Sequence, residues 1–353
     1  MSELELNSPV TAGHVPVLIE EVIHALAPVN GAVMVDGTYG GGGYARAALA
    51  VADITLIGID RDPEAMERAW AHAGKDARLI PAPGRFGELE TIVHATGKDK
   101  VDGVMLDLGV SSFQIDEAGR GFSFMRDGPL DMRMEKKGPS AADAVNHLTE
   151  GELADIFHIL GEEPGARRVA RGIVYRRKTQ KFETTLDLAA CIERSLGGRR
   201  GKPTHPATRS FQALRMWVND ESGELVRALA AAERVLKPGG RLVVVTFHSI
   251  EDRIVKLFLR ARSGNEPGAS RHLPGAPKGK TPTFEVLQRK AIEPGEAELE
   301  ANPRSRSARL RWALRTEAPA WDAPPDEGFR LPGLKQLEGV EGCGSSPSSA
   351  VSS

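Results

Sequence analysis

Hydrophobic positions in the first third of the chain alternate between short β-branched runs and stretches with helical spacing. The strand-like runs are residues 33–36, 54–60 and 101–107, and the helix-like stretches 45–51 and 63–73 lie between them. Parallel strands need crossover connections that lay helices over the sheet. The alternation therefore predicts an α/β fold with a parallel sheet that is covered on both faces.

The alternation stops in the middle of the chain, where residues 140–196 show helical spacing throughout. Leu153, Ile156 and Phe157 recur at intervals of three and four positions, and Thr149 stands where a helix N-cap is expected. We expect a helical insertion in this part of the chain.

Beyond the insertion, the α/β pattern resumes. It predicts a helix over 221–236, a turn at 237–240 and a buried strand over 241–247. Two further apolar runs, 283–290 and 307–315, are predicted to be strands that complete the sheet with an antiparallel edge.

The same pattern predicts how the chain is divided. The core of the protein comprises residues 12–115 and 205–316, and the helical insertion comprises 116–204. The termini, 1–11 and 317–353, are predicted to be flexible, because the second is rich in Pro, Gly and Ser and cannot bury enough apolar area to offset its ordering entropy.

Composition limits the class of protein. With 353 residues, 41% of them apolar, the chain can bury a substantial core, and with 46 Lys or Arg against 48 Asp or Glu it carries no overall field that would attract nucleic acid or membrane. Two distant cysteines suggest a reducing compartment and no zinc site. Without a signal-like or membrane-spanning apolar segment, the protein is predicted to be cytoplasmic, with no metal and no membrane partner.

A glycine-rich loop follows the first predicted strand. Residues 36–43 read DGTYGGGG, and Gly40, Gly42 and Ala45 match the G-x-G-x-x-A form of the dinucleotide fingerprint. Glycines at a helix start allow a ligand to lie against main-chain N–H groups, and Asp60, about 20 residues on, is placed to accept ribose hydroxyls. We expect a nucleoside-containing cofactor here; a flexible turn beside a surface acid is the alternative.

Acids at three predicted strand ends indicate which cofactor this is. Asp36, Asp60 and Asp107 should converge, because ligands bind at the carboxyl ends of parallel strands. Asp36 would repel a pyrophosphate but attract the ammonium group of a methionine moiety. S-adenosylmethionine is therefore favoured, and a nicotinamide-dependent oxidoreductase remains the alternative. For Asp107 taken alone, a cap for the turn that follows is the alternative.

Two longer segments resemble a known family. Residues 107–114 (DLGVSSFQ) and 120–134 (RGFSFMRDGPLDMRM) look like the corresponding motifs of the bacterial 16S rRNA cytosine-N4 methyltransferases. The similarity extends over about residues 12–316 and includes 14–21, 36–43, 59–63, 205–209, 215–219, 247–253 and 302–307.

The resemblance implies a Rossmann-like class I S-adenosylmethionine-dependent methyltransferase. It implies methyl transfer to the exocyclic N4 amine of one cytidine in the decoding region of 16S rRNA, with the small ribosomal subunit as substrate. The family's cofactor contacts fall on Gly42, Gly43, Tyr44, Asp60, Phe86, Asp107 and Gln114. The chain departs from the family at Tyr44, where His is common, and at Phe113, where Pro is common. A main-chain contact at Tyr44 survives this change, whereas an imidazole contact does not.

Methylation of a cytosine amine requires acceptors for the two amine hydrogens and for the proton released. Asp107 and the carbonyl groups of residues 108–110 are the candidates. His248, at the end of another predicted strand, is a second catalytic candidate; an RNA contact and a structural role are its alternatives.

Positive charge is concentrated in residues 161–215, which contain 13 Lys or Arg and 5 Asp or Glu. RNA phosphate is the natural partner of such a segment, although a solvated helix face is the alternative. The RNA-binding candidates are Arg176, Arg177, Lys178, Arg199 and Arg200. Phe122 and Phe124 are candidate walls for an extruded base. A non-catalytic RNA-binding assembly protein on the same fold remains a further alternative.

Overall fold

The structure is a computed structural model that describes residues 16–199, 201, 204–264 and 280–322. The predicted flexible segment 1–11 lies outside the described residues, as does most of 317–353. No helix in these described ranges is both long and apolar enough to cross a membrane.

The sheet has the strand order β3-β2-β1-β4-β5-β7-β6. Its strands are β1 (Val33–Asp36), β2 (Thr55–Asp60), β3 (Leu79–Pro83), β4 (Val101–Asp107), β5 (Leu236–Thr246), β6 (Phe284–Glu285) and β7 (Arg309–Arg315). The first five strands run parallel, whereas β7 pairs antiparallel with both β5 and β6. The order reverses between β1 and β4, and open α/β sheets bind ligands at such a switch point.

Helices cover the sheet and form the insertion. They are α1 (Ile19–Leu26), α2 (Gly43–Val51), α3 (Pro63–Ala73), α4 (Leu89–Ala95), α5 (Ser112–Asp116), α6 (Ala141–His147), α7 (Glu150–Ile159), α8 (Ala166–Arg177), α9 (Thr185–Ser195), α10 (Thr208–Val218), α11 (Glu221–Val235), α12 (Ser249–Arg262) and α13 (Glu296–Ala301). The Rossmann-like α/β fold with inserted helices is therefore confirmed.

Successive side chains of the central strands enter two separate cores, one on each face of the sheet. On β5, Val243 and Val245 pack into one core and Val244 into the other, and on β1 Met34 and Val35 divide in the same way. Side chains alternate across a strand, so a strand covered on both faces is apolar along its whole length. This explains why strands such as β1 and β5 appear in the sequence as continuous apolar runs and not as alternating apolar and polar residues.

The helices α6 to α9 lie between β4 and β5 in the sequence, and α8 packs against both α7 and α9. Thr149 caps α7 as predicted: its hydroxyl accepts from the Glu152 N–H while the Glu152 carboxylate accepts from the Thr149 N–H. Helix α10, which the predicted boundary at 204/205 assigns to the core, packs against α6 and α7. The boundaries 116 and 204 themselves stay a prediction.

The sequence prediction was wrong at both edges of the sheet. Strand β3 was missed because its sequence, LIPAP, contains two prolines, which an edge strand tolerates because one side of it needs no donors. The strand predicted over 283–290 is reduced to Phe284 and Glu285, which pair with β7. Strand β5 begins at Leu236, and its pairing with β4 shifts register across the predicted turn.

Candidate active site

Four strand ends meet at the carboxyl edge of the sheet. Asp60, Asp36 and Asp107 are the last residues of β2, β1 and β4, which are neighbours in that order, and His248 follows the end of β5. Asp107 pairs in register with Val245 near that end of β5. The parallel pairing thus brings the three predicted acids and the predicted histidine to one edge.

The glycine loop connects β1 to α2 at the same edge. Gly42 is the N-cap of α2 with φ 71°, and a side chain there would collide with the ring of Tyr39. A side chain at Gly43 would collide with Pro16. Glycine is required at both positions, because the first has left-handed backbone and both are closely packed. The N–H groups of the first turn of α2, which have no acceptor within the helix, thereby lie at this edge of the sheet.

Two acids in the crevice have an oxygen without a hydrogen-bond donor. Asp36, only 2% exposed, accepts from the Thr38 N–H at 3.1 Å through Oδ1, but its Oδ2 is buried and has no donor within the described residues. Asp107 Oδ1 is likewise buried and accepts no hydrogen bond from a described residue. Burial and the nearby Asp60 charge raise the pKa of Asp36 to about 7. Burial, with the charges of Asp36 and Glu251, raises the pKa of Asp107 well above its ordinary value.

Asp60 orders the loop that faces it. Its Oδ2 accepts from the Gly40 N–H at 2.7 Å and its Oδ1 from the Asp62 N–H at 2.8 Å. Burial raises its pKa even though these hydrogen bonds oppose the shift. Each carboxylate oxygen has a second lone pair, so Asp60 can fix the glycine loop and still accept a ribose hydroxyl.

The remaining predicted cofactor contacts are less available through their side chains. The Tyr44 ring is buried and its hydroxyl donates to the Val17 carbonyl at 2.5 Å, which leaves the main chain of Tyr44 as its route to a ligand. Gln114 forms a capping box with Ser111 and donates to Asp62 Oδ2 at 2.7 Å. Phe86 begins the short helical turn after β3 and packs against the core.

His248 belongs to a cluster of four ionisable side chains. It caps α12, its Nε2 lies 3.0 Å from Glu251 Oε1, and Glu251 Oε2 accepts from the Phe247 N–H at 2.8 Å. Arg215 makes a bidentate pair with Glu221 at 2.8 and 2.7 Å. Burial raises the pKa of Glu251, but His248 and Arg215 outweigh this effect and hold that pKa below its ordinary value. The imidazole is therefore held by a carboxylate at the edge that contains Asp107.

Ligand atoms of Glu221, His248 and Glu251 lie within 4.8 Å of one another. Both Glu221 oxygens are already occupied by the guanidinium of Arg215. Arg215 already neutralises Glu221 and would repel a cation placed there, so ion pairing is the better account of this cluster.

The predicted RNA-binding residues differ in their availability. Arg176 pairs with Asp187 and stacks on the Phe182 ring at 4.3 Å, and Arg177 donates to the Val145 carbonyl. Lys178 and Arg199 are exposed, whereas Arg200 lies outside the described residues. The two arginines at the end of α8 thus already hold the insertion together.

The two candidate aromatic walls lie in different surroundings. Phe124 packs against His205 and Phe211, with ring centroids 4.8 and 4.7 Å away, and lines a cavity of about 290 Å³ together with Arg199. Phe122 is partly buried, with the Arg120 guanidinium 5.7 Å from its ring centroid.

With this geometry in place, comparison with known proteins identifies the family. The profile of the MraW methylase family matches residues 11–316. The chain belongs to the MraW methylase family. This confirms the recognised family and S-adenosylmethionine as its methyl donor, and it decides against a nicotinamide-dependent oxidoreductase.

Several proteins are similar along nearly their whole length. One is the ribosomal RNA small subunit methyltransferase H of Hyphomonas neptunium, 58% identical over 94% of this chain and 97% of that protein. The protein of the same name from Caulobacter vibrioides is 56% identical over 88% of this chain and 98% of that protein. A solved structure, a putative rRNA methylase from Clostridium thermocellum, gives a TM-score of 0.38 with 13% identity over 87% of this chain and 100% of that chain.

The crevice of this MraW methylase family member fits the positively charged methyl donor. Asp36 Oδ2 and Asp107 Oδ1 are buried acceptors without a donor in the part of the chain that the structure describes, and each such atom is costly unless something compensates it. A ligand with an ammonium group and a sulfonium centre supplies that compensation. The glycine loop and Asp60 line the same edge on the β2 side.

Sequence reasoning missed the residues that support the site. Glu251 follows His248 by three positions, the spacing of a capping box, whereas nothing in the sequence shows that Arg215 reaches the same cluster. Asp62 had a readable signal, since an acid directly before Pro63 is a typical N-cap. It accepts hydrogen bonds from Gln114 and Arg120, which join α3 to the segment after β4.

Proposed function

We propose that this protein transfers a methyl group from S-adenosylmethionine to the exocyclic N4 amine of a cytidine in the decoding region of 16S rRNA. The observation that carries the proposal is the pair of buried oxygens on Asp36 and Asp107, at the switch point of the sheet, that receive no hydrogen bond from residues 16–199, 201, 204–264 or 280–322. The names of the similar proteins support an rRNA substrate, and the resemblance of residues 107–114 and 120–134 supports the cytidine amine.

Asp36 and Asp60 serve the cofactor in this proposal. When bound, S-adenosylmethionine supplies a methyl group on a positively charged sulfur. Asp36 would hold the ammonium group and Asp60 would accept ribose hydroxyls. The Gly42 N–H donates to the Tyr39 carbonyl, so the Gly43 N–H is the group at the start of α2 that would face the ligand. The side chain of Gln114 braces Asp62 in the described geometry, and Phe86 forms part of the wall.

Asp107 serves the amine. Its buried Oδ1 and the carbonyl groups of residues 108–110 accept the two amine hydrogens and turn the nitrogen lone pair out of conjugation with the ring. The nitrogen gains a bond to the methyl carbon as the carbon–sulfur bond breaks, and one amine proton passes to Asp107. Burial raises the pKa of Asp107, which makes the carboxylate a better proton acceptor than an exposed acid.

His248 is the second catalytic candidate. It lies beside β5, the neighbour of β4, and Glu251 holds its ring. We propose that the imidazole assists removal of the amine proton.

The partner in this proposal is 16S rRNA within the small ribosomal subunit, in the cytoplasm. The insertion 116–204 provides the RNA-binding surface beside the crevice, with Lys178 and Arg199 among its exposed cations.

The test is transfer of a labelled methyl group to small ribosomal subunits that lack the modification, followed by mass-spectrometric mapping of the rRNA. We expect one methyl group on the N4 atom of one decoding-region cytidine. A methyl group on a carbon or on ribose would overturn the N4 assignment. Tight binding of the subunit without methyl transfer would favour a non-catalytic assembly protein instead.

A further inference from the structure

Helix α8 has one buried and one basic face. Val169, Ala170 and Ile173 are buried in the insertion. Positions three, four and eight residues apart lie on one side of a helix, and the exposed positions of α8 follow that spacing. The exposed residues, which we call the α8 basic face, are Arg167, Arg168, Arg171, Tyr175 and Lys178.

The cations of this face are largely uncompensated. Arg171 lies 3.5 Å from Glu150, but its side chain is 74% exposed. No ion pair joins Arg167, Arg168 or Lys178 to an acid among the residues that the structure describes. Exposed pairs such as that of Arg171 contribute little. Four positive charges therefore project into solvent along about 16 Å of helix.

Tyr175 stands among these charges with its ring exposed. It is 76% exposed, whereas Tyr39 and Tyr44, the other two tyrosines of the chain, are buried. An exposed aromatic ring between cations is the combination with which proteins bind unpaired nucleic acid: bases stack on the ring and phosphates pair with the charges. Neither an acidic peptide nor an anionic surface would use the flat face of the ring in this way.

We propose that the α8 basic face binds an unpaired segment of the substrate RNA, with a base stacked on Tyr175 and phosphates paired with the cations. The inference rests on the proposed function only in taking RNA as the substrate. It moves the RNA-binding role from Arg176 and Arg177, which hold Asp187 and the Val145 carbonyl, to the outward face of the same helix.

The experiment measures the affinity of the full chain for an unstructured RNA oligonucleotide and for small ribosomal subunits, each at several salt concentrations. Tyr175→Ala should weaken oligonucleotide binding about tenfold, whereas Tyr175→Phe, which keeps the ring, should stay within about twofold. Arg167→Ala with Arg171→Ala should weaken it about tenfold at low salt and reduce the slope of log affinity against log salt by about 1.4.

A matched control is available on α12. Lys256 and Arg260 are exposed and also four positions apart, so Lys256→Ala with Arg260→Ala removes the same charge at the same spacing. This variant should keep both the affinity and the salt slope. Retained binding of S-adenosylmethionine, measured by calorimetry, shows that each variant is folded.

Three results would overturn the inference. The first is unchanged affinity of the α8 variants, and the second is an equal loss in the α12 control. The third is a loss of subunit binding with protein-free RNA binding unchanged, since a ribosomal protein would then be the partner. The proposed function fails separately: the wild-type chain would leave no N4 methyl group on rRNA, whatever the α8 variants do to affinity.

Discussion

Two parts of the same sheet treat buried carboxylates in opposite ways. At the ends of β1 and β4, Asp36 and Asp107 each keep an oxygen to which no described residue donates. Beside β6 and β7, Glu233 is equally buried at 2% exposed, but it accepts from Arg262 at 3.0 Å and from Thr283 at 2.6 Å. A buried charge is tolerated when it is paired and hydrogen-bonded. This difference distinguishes Glu233, which stabilises the fold through its partners, from Asp36 and Asp107, which can pair with a ligand.

The pKa values follow the same division. Burial raises the pKa of Asp36 to about 7. At the β7 side, burial acts on Asp252 in the same direction, but hydrogen bonds from Arg311 and the charge of Arg309 hold its pKa below the ordinary value. Asp36 is therefore poised to ionise when a cation arrives, whereas Asp252 is already ionised in the folded chain.

The largest effect is expected at Asp107. Asp107→Asn keeps the shape of the side chain but removes the proton acceptor, so methyl transfer should fall by a factor of about 10³. The measurement is single-turnover transfer of a labelled methyl group to small subunits. Unchanged thermal stability would show that Asp107 contributes to the chemistry and not to the fold.

The exposed Asp99 provides a control for this substitution. Asp99→Asn makes the same chemical change on the surface and should leave the transfer rate unchanged. If Asp107→Asn retained more than about a tenth of the wild-type rate, Asp107 would not be the proton acceptor. The unpaired oxygen of Asp107 would then have no catalytic meaning in the comparison with Glu233.

The next largest effect is on folding. Glu233→Gln removes the carboxylate charge that pairs with the Arg262 guanidinium, which is 1% exposed. Breaking a buried ion pair by removing one member costs about 3–5 kcal/mol, and we expect that loss in the free energy of unfolding measured by denaturant titration. Calorimetric affinity for S-adenosylmethionine, measured well below the unfolding temperature, should not change.

The double variant Glu233→Met with Arg262→Met tests the cause. It removes both charges and fills the space with apolar side chains, so it should recover part of the lost stability. A double variant as unstable as Glu233→Gln would mean that packing, and not the unpaired charge, accounts for the loss.

The sequence was sufficient to predict the elements that determine the site. Strands buried on both faces appear as uninterrupted apolar runs, and β1 and β4 were predicted with the bounds they have in the structure. Because parallel strands end at one edge, three acids at strand ends were enough to predict that they converge. Local pattern and simple topology carry that inference without any knowledge of tertiary contacts.

What the sequence did not show depends on packing between distant segments. The pairing of His248 with Glu251 is local, but Arg215 reaches the same cluster from another helix. The prediction that Arg176 and Arg177 bind RNA is untested, and both side chains already have partners within the insertion. The buried positions Val169 and Ile173 already indicate which side of α8 faces outward.

An intermediate effect is expected in the pH dependence of cofactor binding. Asp36 has a pKa of about 7 when it is buried without a ligand, so below that pH a cationic ligand must displace a proton before it can pair with the carboxylate. Affinity for S-adenosylmethionine should rise with pH through about 7, with roughly a tenfold difference between pH 6 and pH 8. The raised pKa of Asp107 acts in the same direction.

Calorimetry in buffers of different ionisation enthalpy measures the proton released on binding. Near pH 6.5, Asp36→Asn should bind S-adenosylmethionine more weakly and release fewer protons on binding. Its affinity should also depend less on pH, whereas the surface variant Asp99→Asn should match the wild type. If the pH profile of Asp36→Asn were as steep as that of the wild type, Asp36 would not be the group that ionises on binding.

The smallest effect is expected for the exposed ion pair between Arg309 and Asp252. Arg309 lies 3.3 Å from Asp252 but is 46% exposed, and Arg311 remains on Asp252 at 2.7 Å when Arg309 is removed. Arg309→Ala should therefore cost only about 0.5 kcal/mol of unfolding free energy, and the loss should shrink in high salt because exposed pairs are screened. A loss above about 2 kcal/mol that salt does not change would mean that both arginines are needed to compensate Asp252. Removing one partner of Asp252 would then cost nearly as much stability as removing the charge of Glu233.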